Sequence, residues 1–372
     1  MTEQIPLRAN EKIIFDLRSI YGSYGYSHYK MSKFEEYDLY SKNKDFLVSD
    51  GVITFTDTNG KLMALKPDVT LSIVKNTSGS GEGVQKLYYN ENVYRVSKGT
   101  KTFKEIMQVG LECIGRVDSF CICEVLTLAA KSLKCISKNC VLDISHLGIL
   151  SQVIERSGIP DEAKHEIIRF IGEKNIHELT AECRRLEVPE KNIEVLRSLA
   201  HLHGSPEDIL PALAEDLRGY ADAELIDDFA CLIRSMGESA GIVNIDFSVV
   251  DDLHYYNGIV FKGFIEGIPG SVLSGGQYDT LMKKMKHSGN AIGFAVYLDM
   301  LEQLGGESAK YDADILLIYD DSSSLAQIAS AAETLRDSGG EVLALNSVPE
   351  GFKCRKIYNI KNGEVTQSGY DA

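Results

Sequence analysis

The sequence predicts an α+β fold in which an antiparallel sheet is flanked by helices. Two blocks of short strand patterns, at about residues 45–146 and 243–298, are separated by a stretch in which helical periods dominate. Strand runs bounded by turn residues favour antiparallel pairing, and the helical stretch between them predicts an insert in one core. The predicted boundaries are 1–147 and 241–304 for the core, 148–240 for the helical insert, and 305–372 for a small C-terminal α/β unit.

The core opens with an amphipathic helix at residues 10–21, whose isoleucine and leucine side chains follow the helical period. Short strand patterns then flank Asn59-Gly60, a dipeptide typical of a two-residue hairpin turn. Residues 85–95 and 103–114 are rich in β-forming side chains. They predict a long antiparallel hairpin with a mobile, cationic tip at 96–102.

A helix at 119–132 and a strand at 139–146 complete the first block. In the insert, Pro160 and Pro206 mark helix starts, because proline suits the first helical position. Strand character resumes at residue 243 and continues to about residue 273. The core then ends with a helix at 278–286 and an apolar strand at 291–298. A β-α-β-β unit follows from about residue 313.

The charge balance argues against a nucleic-acid partner. The net charge is −15, the pI is near 5.1, and no basic run exceeds Lys283-Lys284 with Lys286. Binding to a polyanion depends on Lys and Arg side chains that neutralise phosphates. We therefore expect no nucleic-acid partner.

The sequence also indicates a cytoplasmic protein without a membrane segment, metal or cofactor. It has no apolar run of membrane-spanning length and no basic, apolar signal peptide at Met1. The eight cysteines form no CxxC pair and are expected to be reduced thiols. His201 and His203 are close in sequence, but no third ligand stands at a suitable spacing.

The stretch from Val249 to Phe261 is the most informative part of the chain. It contains Tyr255-Tyr256, and Gly275-Gly276 precede another tyrosine, Tyr278, further along. Tyrosines provide flat walls with polar tips, and glycines allow the backbone to approach a ligand closely. These features predict a pocket for a small amino acid.

Several segments, in this order and spacing, resemble those of histidyl-tRNA synthetases, and the resemblance covers most of residues 10–302. It implies a class II aminoacyl-tRNA synthetase-like antiparallel sheet for the core, and the C-terminal unit resembles a truncated anticodon-binding domain. The segments are Leu65-Lys66-Pro67-Asp68-Val69-Thr70, Tyr94-Arg95 with Phe103–Glu112 (motif 2), Leu253–Phe261 and Leu273–Asp279 (the histidine-specific signatures), and Gly293-Phe294-Ala295 (the opening of motif 3).

The same resemblance implies a set of histidine-binding residues. Three of them would hold the α-amino group, Glu112 and Tyr256 would contact the two imidazole nitrogens, and two further tyrosines would form the wall. Asp68 is equally well suited to cap the following helix, and Tyr255 is expected to pack in the sheet. The implied binding residues are Asp68, Thr70, Gln108, Glu112, Tyr255, Tyr256 and Tyr278.

Three positions depart from the catalytic pattern of the synthetases. Ser97 stands where motif 2 has a glutamate, Met300 where motif 3 has an arginine, and Asp251 where the histidine-specific arginine falls. Adenylate formation depends on cations aimed at the phosphates. We therefore expect no catalytic residue and no histidine activation, and Arg95 is expected to remain as a structural ion-pair partner.

A synthetase-like core without an ATP site resembles the regulatory subunits of ATP phosphoribosyltransferase. That resemblance implies a short-form catalytic subunit as partner in the first step of histidine biosynthesis. It also implies a homodimer of the core within a hetero-octamer, and L-histidine as feedback effector. A divergent histidyl-tRNA synthetase and a free-standing histidine-binding or tRNA-binding protein are the alternatives.

Overall fold

The computed structural model describes residues 9–47, 51–77, 83–97, 100–250, 255–301 and 311–370. Contacts along the chain divide it into two compact units, Met1–Leu304 and Gly305–Ala372. Within the described ranges, no helix is long and apolar enough to cross a bilayer.

A nine-stranded sheet forms the centre of the larger unit in the described part of the chain. Six neighbouring strands are antiparallel, and one short strand at each side of them pairs in parallel. The predicted antiparallel sheet is therefore confirmed. In spatial order the strands are β1 (Ser27–His28), β5 (Val84–Val96), β6 (Phe103–Gly115), β12 (Asn290–Tyr297), β11 (Leu273–Gln277), β10 (Ile259–Ile265), β7 (Cys140–His146), β9 (Val243–Asp246) and β8 (His203–Gly204).

The long hairpin predicted from the sequence is the pair β5–β6, which is joined along its whole length from Val84–Gly115 to Val96–Phe103. Side chains alternate across a strand, so Val109 and Leu111 of β6 face one way and Glu112 the other. Both apolar residues are fully buried. The predicted mobile tip includes residues 98–99, which lie outside the described residues.

Twelve helices lie in the described part of this unit, and α4 covers the apolar face of the sheet together with α1. The helices are α1 (Ala9–Ser23), α2 (Tyr37–Ser41), α3 (Thr70–Asn76), α4 (Ser119–Ile136), α5 (Leu147–Arg156), α6 (Asp161–Gly172), α7 (Ile176–Arg185), α8 (Glu190–His201), α9 (Pro206–Asp216), α10 (Ala223–Ser235), α11 (Asp279–Lys284) and α12 (Leu298–Leu301).

The segment predicted as a helical insert contains α5 to α10 and packs directly on the sheet. Its buried side chains belong to the same apolar cluster as those of α4, and β8 lies within it. Strand β9 ends at Asp246, short of the predicted continuation to residue 273. The Asp246 carboxylate accepts a hydrogen bond from the Ser248 backbone N–H and begins a turn there. The predicted domain boundaries stay predictions.

A second, three-stranded sheet stands beside α2 and α3. Its order is β2 (Phe34–Glu36), β4 (Leu62–Leu65) and β3 (Thr54–Thr56), and β3 and β4 pair in antiparallel fashion. They are joined through Gly60 at φ +82°, a conformation that favours glycine. The predicted Asn59-Gly60 hairpin is therefore confirmed.

The smaller unit has four strands and one helix in its described residues, so the predicted β-α-β-β pattern is one strand short. The missed strand forms a hairpin whose turn is Asn362-Gly363, both at positive φ. That dipeptide is itself a strong hairpin signal. In spatial order the strands are β14 (Val342–Leu345), β13 (Ala313–Tyr319), β15 (Cys354–Lys361) and β16 (Glu364–Tyr370), and the helix is α13 (Leu325–Asp337).

Candidate amino-acid-binding site

A cavity opens on the polar face of the nine-stranded sheet. Every binding residue expected from the sequence lines it, although those residues come from separate parts of the chain. They are Asp68, Thr70, Gln108, Glu112, Tyr255, Tyr256 and Tyr278.

Two paired glycines make room for two of the cavity's side chains, since Gly276 of β11 and Gly293 of β12 lie side by side. A methyl group on Gly293 would overlap the carboxylate of Glu112, and one on Gly276 would lie 2.7 Å from the Tyr256 ring. Both glycines are therefore required for Glu112 and Tyr256 to occupy their positions at the cavity.

Glu112 is the most deeply buried charged group of the site, with 2% of its surface exposed. Thr70 Oγ1 donates a hydrogen bond to one carboxylate oxygen at 2.6 Å, and the Tyr278 hydroxyl donates to the other at 2.5 Å. Burial raises the pKa of Glu112 to about 8, although both hydrogen bonds act in the opposite direction. The carboxyl group is therefore protonated near neutral pH and sensitive to any ligand that contacts it.

Three tyrosines form one wall of the cavity. The ring of Tyr255 packs between Tyr256, at a centroid distance of 4.8 Å, and Tyr278, at 5.8 Å, with Phe46 behind it. Tyr255 is buried, as expected for a packing residue, whereas Tyr256 is partly exposed. Tyr256 is therefore the better placed of the two to contact a ligand.

Asp68 has the capping role considered for it, and its position leaves the binding role a prediction. Its Oδ1 accepts a hydrogen bond from the Leu71 backbone N–H at 2.8 Å, which caps the first turn of α3, and the same residue lines the cavity. The cap holds α3 in place, and α3 carries Thr70, which donates to Glu112.

Several cavity residues were not identified from the sequence. Tyr89 of β5 is buried beneath the cavity, and the hydroxyls of Ser274 and Tyr297 lie 2.6 Å apart on the side opposite Glu112. Strand alternation would have placed Tyr297 on the polar face, two residues beyond Ala295. The pairing register that brings Ser274 beside it depends on distant parts of the chain.

Arg95 also lines the cavity. Among the described residues that line it, Arg95 is the one with a basic side chain. Its Nε donates a hydrogen bond to the Pro67 carbonyl oxygen at 3.0 Å. The partner found is a backbone oxygen, so the expectation of an ion pair is wrong in this respect.

Of the positions expected to have lost catalytic function, the two that the structure describes, Ser97 and Met300, do not line the cavity. The Ser97 backbone N–H donates to the Thr102 carbonyl oxygen across the end of the hairpin. Met300 belongs to α12 and packs against the main apolar cluster. Asp251 lies outside the described residues.

The structure corrects one argument about metal ligands. Ligand atoms of Asp143, His203 and Asp246 lie within 4.8 Å of one another, because β7, β9 and β8 are neighbours. His203 therefore has two carboxylate neighbours, although sequence spacing gave none, and His201 is not part of this group. Lys174 Nζ already lies 2.8 Å from Asp246 Oδ2 and neutralises that carboxylate. The expectation of no metal stays a prediction.

The nine-stranded sheet with its covered apolar face and polar cavity defines a class II aminoacyl-tRNA synthetase-like protein. A sequence profile described as histidyl-tRNA synthetase matches residues 5–301. The chain belongs to the histidyl-tRNA synthetase family.

Relatives within this family bear two different names. An ATP phosphoribosyltransferase regulatory subunit of Clostridium kluyveri is 28% identical over 93% of this chain and 91% of its own length. A histidine–tRNA ligase of Methanococcus maripaludis is 29% identical over 88% of this chain and 80% of its own. Among solved structures, an ATP phosphoribosyltransferase regulatory subunit/histidyl-tRNA synthetase from Bacillus halodurans C has a TM-score of 0.73 at 22% identity, with 93% of each chain covered.

Proposed function

We propose that this chain is the regulatory subunit of an ATP phosphoribosyltransferase, which acts in the first step of histidine biosynthesis. The observation that carries the proposal is the match to regulatory subunits over 82–94% of the chain, at 24–28% identity for several relatives. The chain would bind a short-form catalytic subunit in the cytoplasm and be required for its activity.

The cavity supports a role in sensing histidine. A buried carboxyl group and a phenol can together fix an imidazole, because one accepts and the other donates a hydrogen bond. Glu112 and Tyr256 are such a pair, and the acceptor oxygens of Asp68 and Gln108 suit an ammonium group. Gly293 leaves room for the Glu112 carboxylate to reach into the cavity.

The charges around the cavity argue against histidine activation. Loss of one preorganised contact to a developing anion typically costs about 3 kcal/mol of transition-state stabilisation. Arg95 stands alone among basic residues lining the described cavity, and the sequence has Met300 where motif 3 of the synthetases has an arginine. With Ser97 and Asp251 also differing from the synthetase pattern, the chain would not form an adenylate.

Reconstitution tests the proposal directly. Phosphoribosyl transfer from phosphoribosyl pyrophosphate to ATP is measured with the short-form catalytic subunit alone, this chain alone, and both together. We expect activity in the mixture alone, and inhibition of that activity by histidine. The mass of the mixture would be that of a hetero-octamer in which this chain forms homodimers.

Two tyrosine variants separate sensing from assembly. Tyr256→Phe should weaken inhibition by histidine while activation persists, because the ring remains and the hydroxyl is lost. Tyr220→Phe removes a hydroxyl that donates to Asn192 away from the cavity, and should leave inhibition unchanged. A mixture without activity contradicts the regulatory role.

A divergent histidyl-tRNA synthetase is the second candidate, and the Methanococcus maripaludis ligase favours it. Pyrophosphate exchange that depends on both histidine and ATP would establish this function instead. Histidine binding without either transferase activation or exchange would indicate a free-standing histidine-binding protein.

A further inference from the structure

A second cavity adjoins the first on the polar face of the sheet. The two share Tyr256, Ser274 and Tyr297, so the hydrogen-bonded pair of Ser274 and Tyr297 stands between them. The second cavity is the roomier, at about 170 Å³ against about 80 Å³. It therefore has space for a group that extends out of the first.

The second cavity contains a basic residue, Lys262 of β10. Lys262 pairs directly across the strands with Ser274, so both side chains leave the same face of the sheet. The lysine is partly buried, and this burial lowers the pKa of its ammonium group. Lys262 is the one basic residue among the described residues that line this second cavity.

The spacing between Glu112 and Lys262 fits one small molecule. Their strands, β6 and β10, are separated by β12 and β11, so three strand spacings of about 4.8 Å lie between them, or roughly 14 Å. Both residues lie on the polar face, but they are also offset by two residues along the strands, because Glu112 pairs with Gly293 and Gly293 with Gly276, whereas Lys262 pairs with Ser274. At about 3.3 Å per residue this offset is roughly 7 Å, so the two Cα positions are roughly 16 Å apart. That distance accommodates two long side chains and a ligand with a ring at one end and an acid at the other.

We propose that Lys262, with the Ser274–Tyr297 hydroxyl pair, forms an anion subsite that receives the carboxylate of the amino acid held at Glu112. This inference rests on the proposed histidine-sensing function. Lys262 would supply the positive charge from β10, the strand next to the one that carries Ser274. Ser271, which also lines the second cavity, offers a further hydroxyl to the anion.

The test compares histidine with histamine, which has the same ring and amine but no carboxylate. Calorimetric titration measures the affinity of both ligands for the wild-type chain and for Lys262→Met. A charge-assisted contact contributes about 10- to 100-fold in affinity. We expect Lys262→Met to weaken histidine binding by about that factor and histamine binding less than about twofold, so that the wild-type preference for histidine disappears.

Three further variants make the test specific. Lys262→Arg keeps the charge and should retain the preference, which also guards against misfolding of the methionine variant. Lys191→Met, on the exposed face of α8, should match the wild type. Arg95→Met removes the competing cation of the first cavity; if it abolishes the preference while Lys262→Met does not, the carboxylate binds at Arg95 and the inference is wrong.

The outcomes separate this inference from the function on which it rests. Wild-type affinities that persist in Lys262→Met overturn the anion subsite and leave histidine sensing intact. If the wild type binds neither ligand, both histidine sensing and the subsite are overturned, whereas activation of the transferase can still be measured.

Discussion

Replacing Glu112 by glutamine should change how the stability of the protein depends on pH. The carboxyl group is buried, and its pKa is raised from 4.5 to about 8. Glutamine has the same shape and can still accept the hydrogen bond from Thr70, but it does not ionise. The difference between the wild type and this variant therefore isolates one titration.

The sign and the magnitude follow from the pKa. Below pH 4.5 the carboxyl group is neutral in both folded and unfolded chains, so Glu112 itself costs the wild type no stability there. As the pH rises toward 8, the unfolded chain releases this proton more readily, and stability is lost. At about 1.36 kcal/mol per pH unit, the rise from 4.5 to about 8 corresponds to a loss of about 5 kcal/mol.

The assay is urea unfolding of both proteins at half-unit intervals from pH 5 to pH 8.5. We expect Glu112→Gln to equal or fall below the wild type at pH 5 and to exceed it by several kcal/mol at pH 8.5. Two parallel curves over this range would show that the carboxyl group titrates normally and would refute the reasoning from burial.

Three other changes have defined outcomes. Tyr278→Phe removes the hydroxyl that donates to the buried Glu112 carboxyl group, so urea unfolding should show a loss of about 1–3 kcal/mol of stability that grows above pH 7. The control Tyr220→Phe should show a loss of stability that does not depend on pH, and the same behaviour in Tyr278→Phe would contradict the prediction. Gly293→Ala should destabilise the chain by about 1–3 kcal/mol and abolish histidine binding, because the added methyl group has no space. Gly22→Ala is the control, since its methyl group would meet no atom within 4 Å and should be tolerated. Calorimetric binding that is unchanged in Gly293→Ala would show that the backbone at Gly293 can move. His146 Nδ1 accepts hydrogen bonds from two backbone N–H groups at the start of α5, and burial lowers the pKa of His146 from 6.5 to about 4. The stability of the folded chain should therefore fall by about 3 kcal/mol as the pH drops from 6.5 to 4. His146→Asn can cap the helix without binding a proton and should remove this part of the fall in acid unfolding, whereas an equal fall in both proteins would exclude His146 as its source.

Local patterns predicted the elements that carry the site, and they predicted some of its contacts. Alternation along β6 placed Gln108 and Glu112 on one face, and adjacency placed Tyr255 beside Tyr256. Both expectations agree with the structure. In each case the two residues belong to one strand or one short stretch, so the geometry of the local backbone fixes their relation.

The parts of the site that the sequence did not reveal depend on the pairing of distant strands. Ser274, Tyr297 and Lys262 come together because β10, β11 and β12 pair in one register, and a shift of one residue would turn their side chains to the other face. The same holds for His203, which meets its two carboxylate neighbours through β7 and β9. No spacing along the chain encodes these contacts.

The glycine pair at the cavity also bears on how such a site can diverge. Any side chain added at Gly293 or Gly276 would displace Glu112 or Tyr256, so substitutions that change ligand chemistry accumulate more readily at the other wall positions. Arg95 and Lys262 show that wall positions carry the charges. A chain of this fold can therefore exchange one chemistry for another by a few wall substitutions while the outline that admits an amino acid persists.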